Sequence, residues 1–480
     1  MSVARSGWVV PAILLAAPLI GAVVFMQPAL IVLVLAVILL LRAVEAPLAT
    51  LCLFAFAHMA TPAYVRVPLP GGFYNPPIST AVMLTLFGFG IVRYFAGHRI
   101  LPAGPTVTRV ILLFVLFATV ALVSLADPRT TGEGVSMWMK VFMFPGLVLF
   151  AMLALATEPQ DVARVYRYLL AGAVAASIFG IFEYLIGFNP LIDRFETDIV
   201  YFRAEILGDI AYRAFSVYGN PIEFGTCVGM VTPFALVRLA TATGWRERAL
   251  YGAAVAVCFI GIAVTYSRGP LLALLIGTVM IGLIYASLRR WLIAGTVAAA
   301  MLVGAVWPFL GAGVTERLRD FDNVTLRFKL WQTAAAIYED HPVLGVGIGN
   351  FPQYYLQAAR DHRIGPFLEF GEGSVESIRV AENTYLQLAA ETGTIGVIAG
   401  LAFVLTLFGL TLRLARRARD HQARDLAVVC LTGMLIYAIN GMFITAYTHY
   451  FSTMLLIGFV FGSVLALTAH DHRDGPGERR

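Results

Sequence analysis

The sequence predicts an all-α integral membrane protein with about 12–14 transmembrane helices and a large, mainly helical extracytoplasmic loop near residues 311–392. Three observations predict it. Hydrophobic residues make up 59% of the 480 residues against 13% charged, and the mean hydropathy is +0.81; so much apolar surface does not fit inside a water-soluble globule. Apolar runs recur near 8–26, 28–41, 46–60, 78–95, 109–126, 137–156, 165–187, 222–240, 249–266, 270–288, 291–310, 393–412, 425–445 and 451–468. Most approach the roughly 20 residues that a helix needs to cross hydrocarbon. The cations, finally, fall in alternate connections, as the positive-inside bias requires.

Taken in order, Trp8 to Phe25 reads as a retained first helix, because another apolar run follows it at once where a cleaved signal would end. The runs at 28–41 and 46–60 are short and stop around Arg42, Glu45 and Pro47, so one of them is expected to be tilted, re-entrant or merged with its neighbour. With Arg5 on the cytoplasmic side, so are Arg42, Arg93, Arg99, Arg109, Arg164, Arg167, Arg246, Arg248, Arg289 and Arg290, and the run Arg413, Arg416, Arg417, Arg419 and Arg424. Both termini are then cytoplasmic. The net charge of +5 and pI of 9.0 are therefore a topology signal, and a nucleic-acid partner is not expected because no basic folded surface accompanies them. The expected organisation is transmembrane helices over 1–310 with an extracytoplasmic loop near 188–221, a large extracytoplasmic loop over 311–392, closing transmembrane helices over 393–470 and a cytoplasmic tail over 471–480. Cys52, Cys227, Cys258 and Cys430 lie within apolar runs without metal-ligand spacing and read as small core residues.

Both extracytoplasmic loops far exceed the few residues usual between packed elements, and loops of that size tend to carry function. Polar chain this rich in Arg, Glu, His, Asn and Gly must lie outside the hydrocarbon or line a wet cavity. Three arginines fall on that side: Arg213 in RAFSVYGNPIEFG, Arg268 in TYSRGP and Arg327 in RFKLW. A guanidinium presents planar, permanently charged donors that match phosphate oxygens two at a time, so several converging at a membrane surface suit a diphosphate. Snorkelling, or pairing with Glu205 or Asp209, is the competing reading for each. Arg268 is singled out by its position in a very short connection between long apolar helices, where a charge is costly without a partner.

Within the second loop, Thr325 to Tyr338 reads as a helix with Arg327 and Trp331 on one face, ended by His341-Pro342. GVGIGN (Gly345 to Asn350) reads as a tight turn before a helix capped by Asn350, since no strand-loop-helix unit surrounds it to make a nucleotide cradle. Asp320-Phe321-Asp322 is discounted as a metal motif for the same reason. AENTYLQLAAETG is expected to form a helix entering the next span, with Asn383 and Gln387 paired one turn apart and Gly393 and Gly396 allowing a bend. Glu382 offers a carboxylate that can take a proton from a sugar hydroxyl if partial burial raises its pKa; otherwise it is a first-turn residue favoured by a helix N-terminus. His341 reads as a helix-end residue and His362 as a solvated loop residue. Asn440 and Glu183, inside or near the ends of spans, read as helix–helix hydrogen bonders.

RAFSVYGNPIEFG, TYSRGP, RFKLWQ, HPVLGVGIGNF and AENTYLQLAAETGTIG, followed by the closing spans ending in HYFSTMLLIGFVFG, together resemble the bacterial O-antigen ligase and O-antigen polymerase superfamily. The resemblance covers the C-terminal half by motif and the rest by hydropathy. It implies a polytopic inner-membrane glycosyltransferase that takes a glycan from undecaprenyl diphosphate on the periplasmic face and passes it to a glycan, to a lipid A-core acceptor or, in some relatives, to protein, with neither a cofactor nor a metal required. On that resemblance Arg213, Arg268 and Arg327 bind the diphosphate, Arg268, Arg327 and Glu382 act in catalysis, and Asn383, Tyr385 and Trp331 support them. The family often has His-Asn where this chain has Glu382-Asn383. That departure leaves the acceptor open and tilts the expectation from ligase towards polymerase or exopolysaccharide assembly. The alternative class is a transporter of a lipid-linked oligosaccharide, although no half-repeat of the kind common in transporters is visible.

Overall fold

The computed structural model describes residues 46–64, 104–125, 131–195, 203–206, 209–290, 322–364, 380–445 and 451–473. Among the described residues, seven helices are long and apolar enough to span a membrane, and two shorter apolar helices accompany them. The chain is an all-α multi-pass membrane protein. The expected spans at 8–26, 28–41, 78–95 and 291–310 lie outside the described residues, as do Asp320, Phe321 and the tail beyond 473.

Helix α1 runs over Pro47–Ala60 and α2 over Pro105–Val123. Helix α3, Thr131–Trp138, passes through a π-helical turn at Met139–Met143 into α4, Phe144–Leu155. Helix α5, Pro159–Ile186, opens with a capping box between Glu158 and Asp161 and closes at Gly187, whose φ of 78° is the left-handed C-terminal stop. A short α6, Pro190–Phe195, leads to a two-stranded antiparallel hairpin, β1 Arg203–Ile206 and β2 Asp209–Tyr212. Then follow α7 Pro221–Thr241, α8 Trp245–Ala263 and α9 Arg268–Ile284. The second loop contributes α10 Asp322–Asp340 and α11 Phe351–Asp361. Helices α12 Thr384–Arg417, α13 His421–Gly441 and α14 Phe451–Arg473 complete the bundle.

Helix α14 is buried along nearly its whole length and packs most extensively on α4. The approach is close because α14 offers glycine there: a Cβ at Gly458 would stand 2.5 Å from the Pro145 carbonyl oxygen, and one at Gly462 would stand 2.8 Å from that of Leu149. Small residues that let backbones meet are how helices associate where lipid supplies no hydrophobic drive. Outside the bundle, α10 and α11 form a second small core from Leu330, Ile337, Phe351 and Tyr355 against the first turns of α12. Full burial of Phe351 and Tyr355 supplies about 2–3 kcal/mol each, which fixes the loop helices to the bundle.

The connections sort to two ends. One end gathers the ends of α5, α8 and α13 with the starts of α7, α9, α12 and α14, tied by bonds such as Ala214 N–H to the Val264 carbonyl and Asn383 Nδ2 to the Met442 carbonyl. The opposite end carries Arg164, Arg167, Arg246, Arg248, Arg413, Arg416 and Arg417. Helices α10 and α11 sit on the first end, which is where every described candidate residue lies.

Candidate active site

Arg213 is presented by a segment that a buried carboxylate builds. Glu183, in the last turn of α5, accepts the Tyr212 hydroxyl at 2.6 Å, the Phe215 N–H at 3.2 Å and the Ser216 N–H at 2.6 Å. Asn189 donates to the Ser216 carbonyl at 2.8 Å, and the Ser216 hydroxyl donates to the Ala176 carbonyl. These bonds hold Ser216 at a φ of 56°, a conformation that costs a non-glycine residue about 1–3 kcal/mol and so needs such support. The reading of Glu183 as a helix–helix bonder is corrected: its partners are the Tyr212 hydroxyl and loop backbone, 29 to 33 residues onward, which no sequence spacing reveals.

The Arg213 guanidinium turns onto the α8–α9 connection, donating from Nε to the Thr265 carbonyl and from Nη2 to the Ser267 hydroxyl, both at 3.0 Å. The residue after Ser267, Arg268, opens α9. Its side chain is exposed and makes no hydrogen bond or ion pair among the described residues. Gly269 backs onto α13, where a Cβ would lie 3.2 Å from Asn440 Oδ1 and 4.0 Å from the Phe443 side chain. Asn440 is 1% exposed, and neither side-chain atom has a partner among the described residues, which the reading as a helix–helix bonder did not foresee.

The same Phe443 accepts Arg327 Nη1 at 2.7 Å through its carbonyl, and Arg327 Nη2 lies 3.8 Å from Glu382 Oε2. Arg327 and Glu382 are each 35% exposed. Burial pushes the Glu382 carboxyl above the usual carboxylate range, and Arg327 opposes the shift without cancelling it. Glu382 stands before the helix rather than in its first turn, at a φ of 53°. Asn383 follows as the N-cap of α12, its Oδ1 accepting from the Tyr385 and Leu386 N–H groups. It does not pair with Gln387 as spacing suggested, because the cap consumes its oxygen; Gln387 instead accepts the Ala381 N–H and donates to Glu391. The start of α12 is stapled to α13 by Thr384 to the Ile444 carbonyl and Tyr385 to the Ala438 carbonyl. Trp331, one turn beyond Arg327, packs on Phe328 and keeps a buried indole N–H without a partner among the described residues.

The GVGIGN segment is a packing turn. Gly345, Gly347 and Gly349 have φ of 69°, 94° and 82°, and a Cβ on each would strike, in turn, the Glu391 backbone, Asn350 Nδ2 and Met137. Asn350 occupies the N-cap position of α11, but its amide donates back to the Val346 carbonyl; Glu391 instead accepts the Phe351 N–H at 3.3 Å. The expected bend is real at Gly393, whose φ of 62° interrupts α12 against Val343. His341 follows the end of α10 as expected, whereas His362 is bonded to Asp340 at 3.0 Å rather than freely solvated. No group of three or more His, Cys, Asp or Glu spaced for a metal occurs among the described residues.

The structure thus brings Arg213, Arg268, Arg327 and Glu382 to one end of the bundle, linked through Ser267, Gly269, Asn440 and Phe443. Residues 253–401 match the family model described as O-antigen ligase. That segment is similar to the O-antigen ligase family. The segment includes Tyr266, Arg268, Arg327 and Glu382, and Arg213 reaches it through Thr265 and Ser267. No curated protein matches the chain. A chain solved in work on "Structural coordination of polymerization and crosslinking by a peptidoglycan synthase complex" is similar over 76% of this chain and 97% of its own, with a TM-score of 0.41 and 16% identity. At that level of similarity it adds nothing to the assignment.

Proposed function

We propose that the protein is a glycosyltransferase that moves a glycan from undecaprenyl diphosphate to a sugar hydroxyl on the periplasmic face of the inner membrane, as a polysaccharide polymerase in preference to a ligase. The observation that carries this reading is the convergence of three arginines and one elevated-pKa carboxylate at the end of the bundle opposite its cation-rich rim. By the positive-inside bias that rim is cytoplasmic. The donor's isoprenoid lies among lipid-facing helices, and its diphosphate meets Arg268, with Arg213 and Arg327 spreading positive potential around it. Glu382 accepts the proton of the acceptor hydroxyl as that oxygen bonds to the anomeric carbon. The bond from that carbon to the diphosphate oxygen breaks, and the electron pair leaves on undecaprenyl diphosphate. The arginines act where negative charge grows, the place at which preorganised electrostatics lowers a barrier most. A single displacement inverts the anomeric centre. The partially buried Glu382 takes the role that a histidine often has in the resembled family.

Arg327→Ala tests the reading: transfer falls by about 100-fold or more, the scale of losing one preorganised charge-stabilising group, while the protein still folds in the membrane. Wild-type product from that variant sinks it. A deletion strain distinguishes the acceptors. Core carrying single repeats marks lost polymerisation, unsubstituted core beside lipid-linked polymer marks lost ligation, and loss of secreted polymer marks exopolysaccharide assembly.

A further inference from the structure

Three of the four described non-glycine residues with positive φ stand at this site: Ser216 three residues from Arg213, Glu382 beside Arg327, and Tyr266 two residues before Arg268. The first is cradled by Glu183, and the second carries the proposed base. Tyr266 has no role yet. Its neighbours Thr265 and Ser267 are both buried and both accept from Arg213, which pins the connection on either side of it. The chain between them is held at a φ of 50°, and the Tyr266 side chain is turned outward, 39% exposed. There its hydroxyl lies 2.8 Å from that of Tyr184 on α5, with the rings 6.0 Å apart and tilted by 54°. Tyr266 thus joins a strained backbone to an exposed aromatic ring beside a charged site, and strain of this kind clusters at ligand-binding sites.

We infer that Tyr266, oriented by Tyr184, is the subsite for the sugar ring joined directly to the donor's diphosphate, and so a specificity residue of the transfer. The inference rests on the donor reading above. A pyranose carries one face of polarised C–H groups, which pack on the electron-rich face of an aromatic ring, and hydroxyls around its rim, which need partners. The tyrosine pair offers both: a ring next to the residue proposed to bind phosphate, and two hydroxyls whose mutual bond leaves further donor and acceptor capacity. The shared hydrogen bond, with burial, pushes the Tyr266 hydroxyl up to about 12. An isoprenoid chain has no use for the hydroxyl pair, and the exposed apolar side chains of Phe182, Leu185 and Ile186 on α5 suit it better.

The test uses the full-length protein in nanodiscs with two probes, undecaprenyl diphosphate alone and undecaprenyl diphosphate bearing one N-acetylhexosamine. Wild-type protein binds the sugar-bearing lipid more tightly. Tyr266→Ala removes that preference, a change of up to about tenfold, the upper end for an aromatic stack, and leaves affinity for the bare lipid unchanged. Tyr266→Phe keeps the ring and retains most of the preference, which separates stacking from a folding defect. Equal weakening of both probes by Tyr266→Ala, or a wild-type preference that survives it, overturns the inference. Arg268→Ala serves as the control on the donor reading. It weakens both probes together, and unchanged binding by that variant would remove the reading and the inference with it.

Discussion

Two sets of ionisable side chains stand at the same end of this bundle and are held in opposite ways. Glu183, Glu223 and Glu391 are buried, and each accepts backbone N–H groups: Glu183 those of Phe215 and Ser216, Glu223 that of Ser452 at the start of α14, Glu391 that of Phe351 at the start of α11. Arg268, Arg327 and Glu382 are partly or fully exposed; the Arg327–Glu382 contact is a loose 3.8 Å, and Arg268 has no partner among the described residues. A buried charge survives only if its surroundings satisfy it, so the first set is structural by necessity. The second set retains capacity for a ligand. On the proposed function, what separates the two sets is exposed, unspent hydrogen-bonding capacity, since both are charged.

The comparison breaks most readily at Glu382. Glu382→Gln should lower the transfer rate by about 100- to 10,000-fold, the range for losing a general base, with little change in thermal stability. With Glu382 as the base, the wild-type rate should fall as pH drops through the Glu382 pKa, since only the ionised carboxylate accepts a proton. Burial raises that pKa above 4.5, so the acidic limb lies higher than an ordinary glutamate would place it. Glu382→His should recover activity lost in Glu382→Gln, with the limb displaced upward again, as a pH–rate series would record. Glu183→Ala should do the reverse, costing about 2–5 kcal/mol because two buried N–H groups and a hydroxyl lose their acceptor; thermal inactivation of the purified protein measures it. Gly393→Ala should also destabilise without touching the chemistry, by about 1–3 kcal/mol from strain at a φ of 62° and by more from a Cβ driven against the Val343 backbone, read by the same assay. If Glu183→Ala abolished transfer without altering stability, the division into structural and reactive sets would fail.

The parts of this arrangement that were legible in the sequence are those where one residue conflicts with its surroundings. Arg268 conflicts with two apolar helices and lies at the start of α9, and Gly393 conflicts with a helical pattern and lies at the bend in α12; Glu382, expected in a first turn, instead precedes the Asn383 cap. The helices over 105–123, 159–186, 221–241 and 268–284 were legible because hydropathy over about 20 residues is a summed signal. What was not legible depends on partners far along the chain. Glu183 reads as a stray carboxylate near the end of a span until Phe215 and Ser216 are folded onto it. Asn383 and Gln387 have the spacing of a pair, yet the unsatisfied amides at the start of α12 claim the asparagine first. The β1–β2 hairpin, four residues a strand, is too short to leave a periodic signature.

If Arg268 is held free for the donor's diphosphate, purified protein in liposomes with an undecaprenyl-diphosphate-linked glycan and its acceptor will reveal it. Arg268→Ala should retain the wild-type melting profile and lose transfer by about 100-fold or more. Transfer at the wild-type rate by that folded variant would contradict the account.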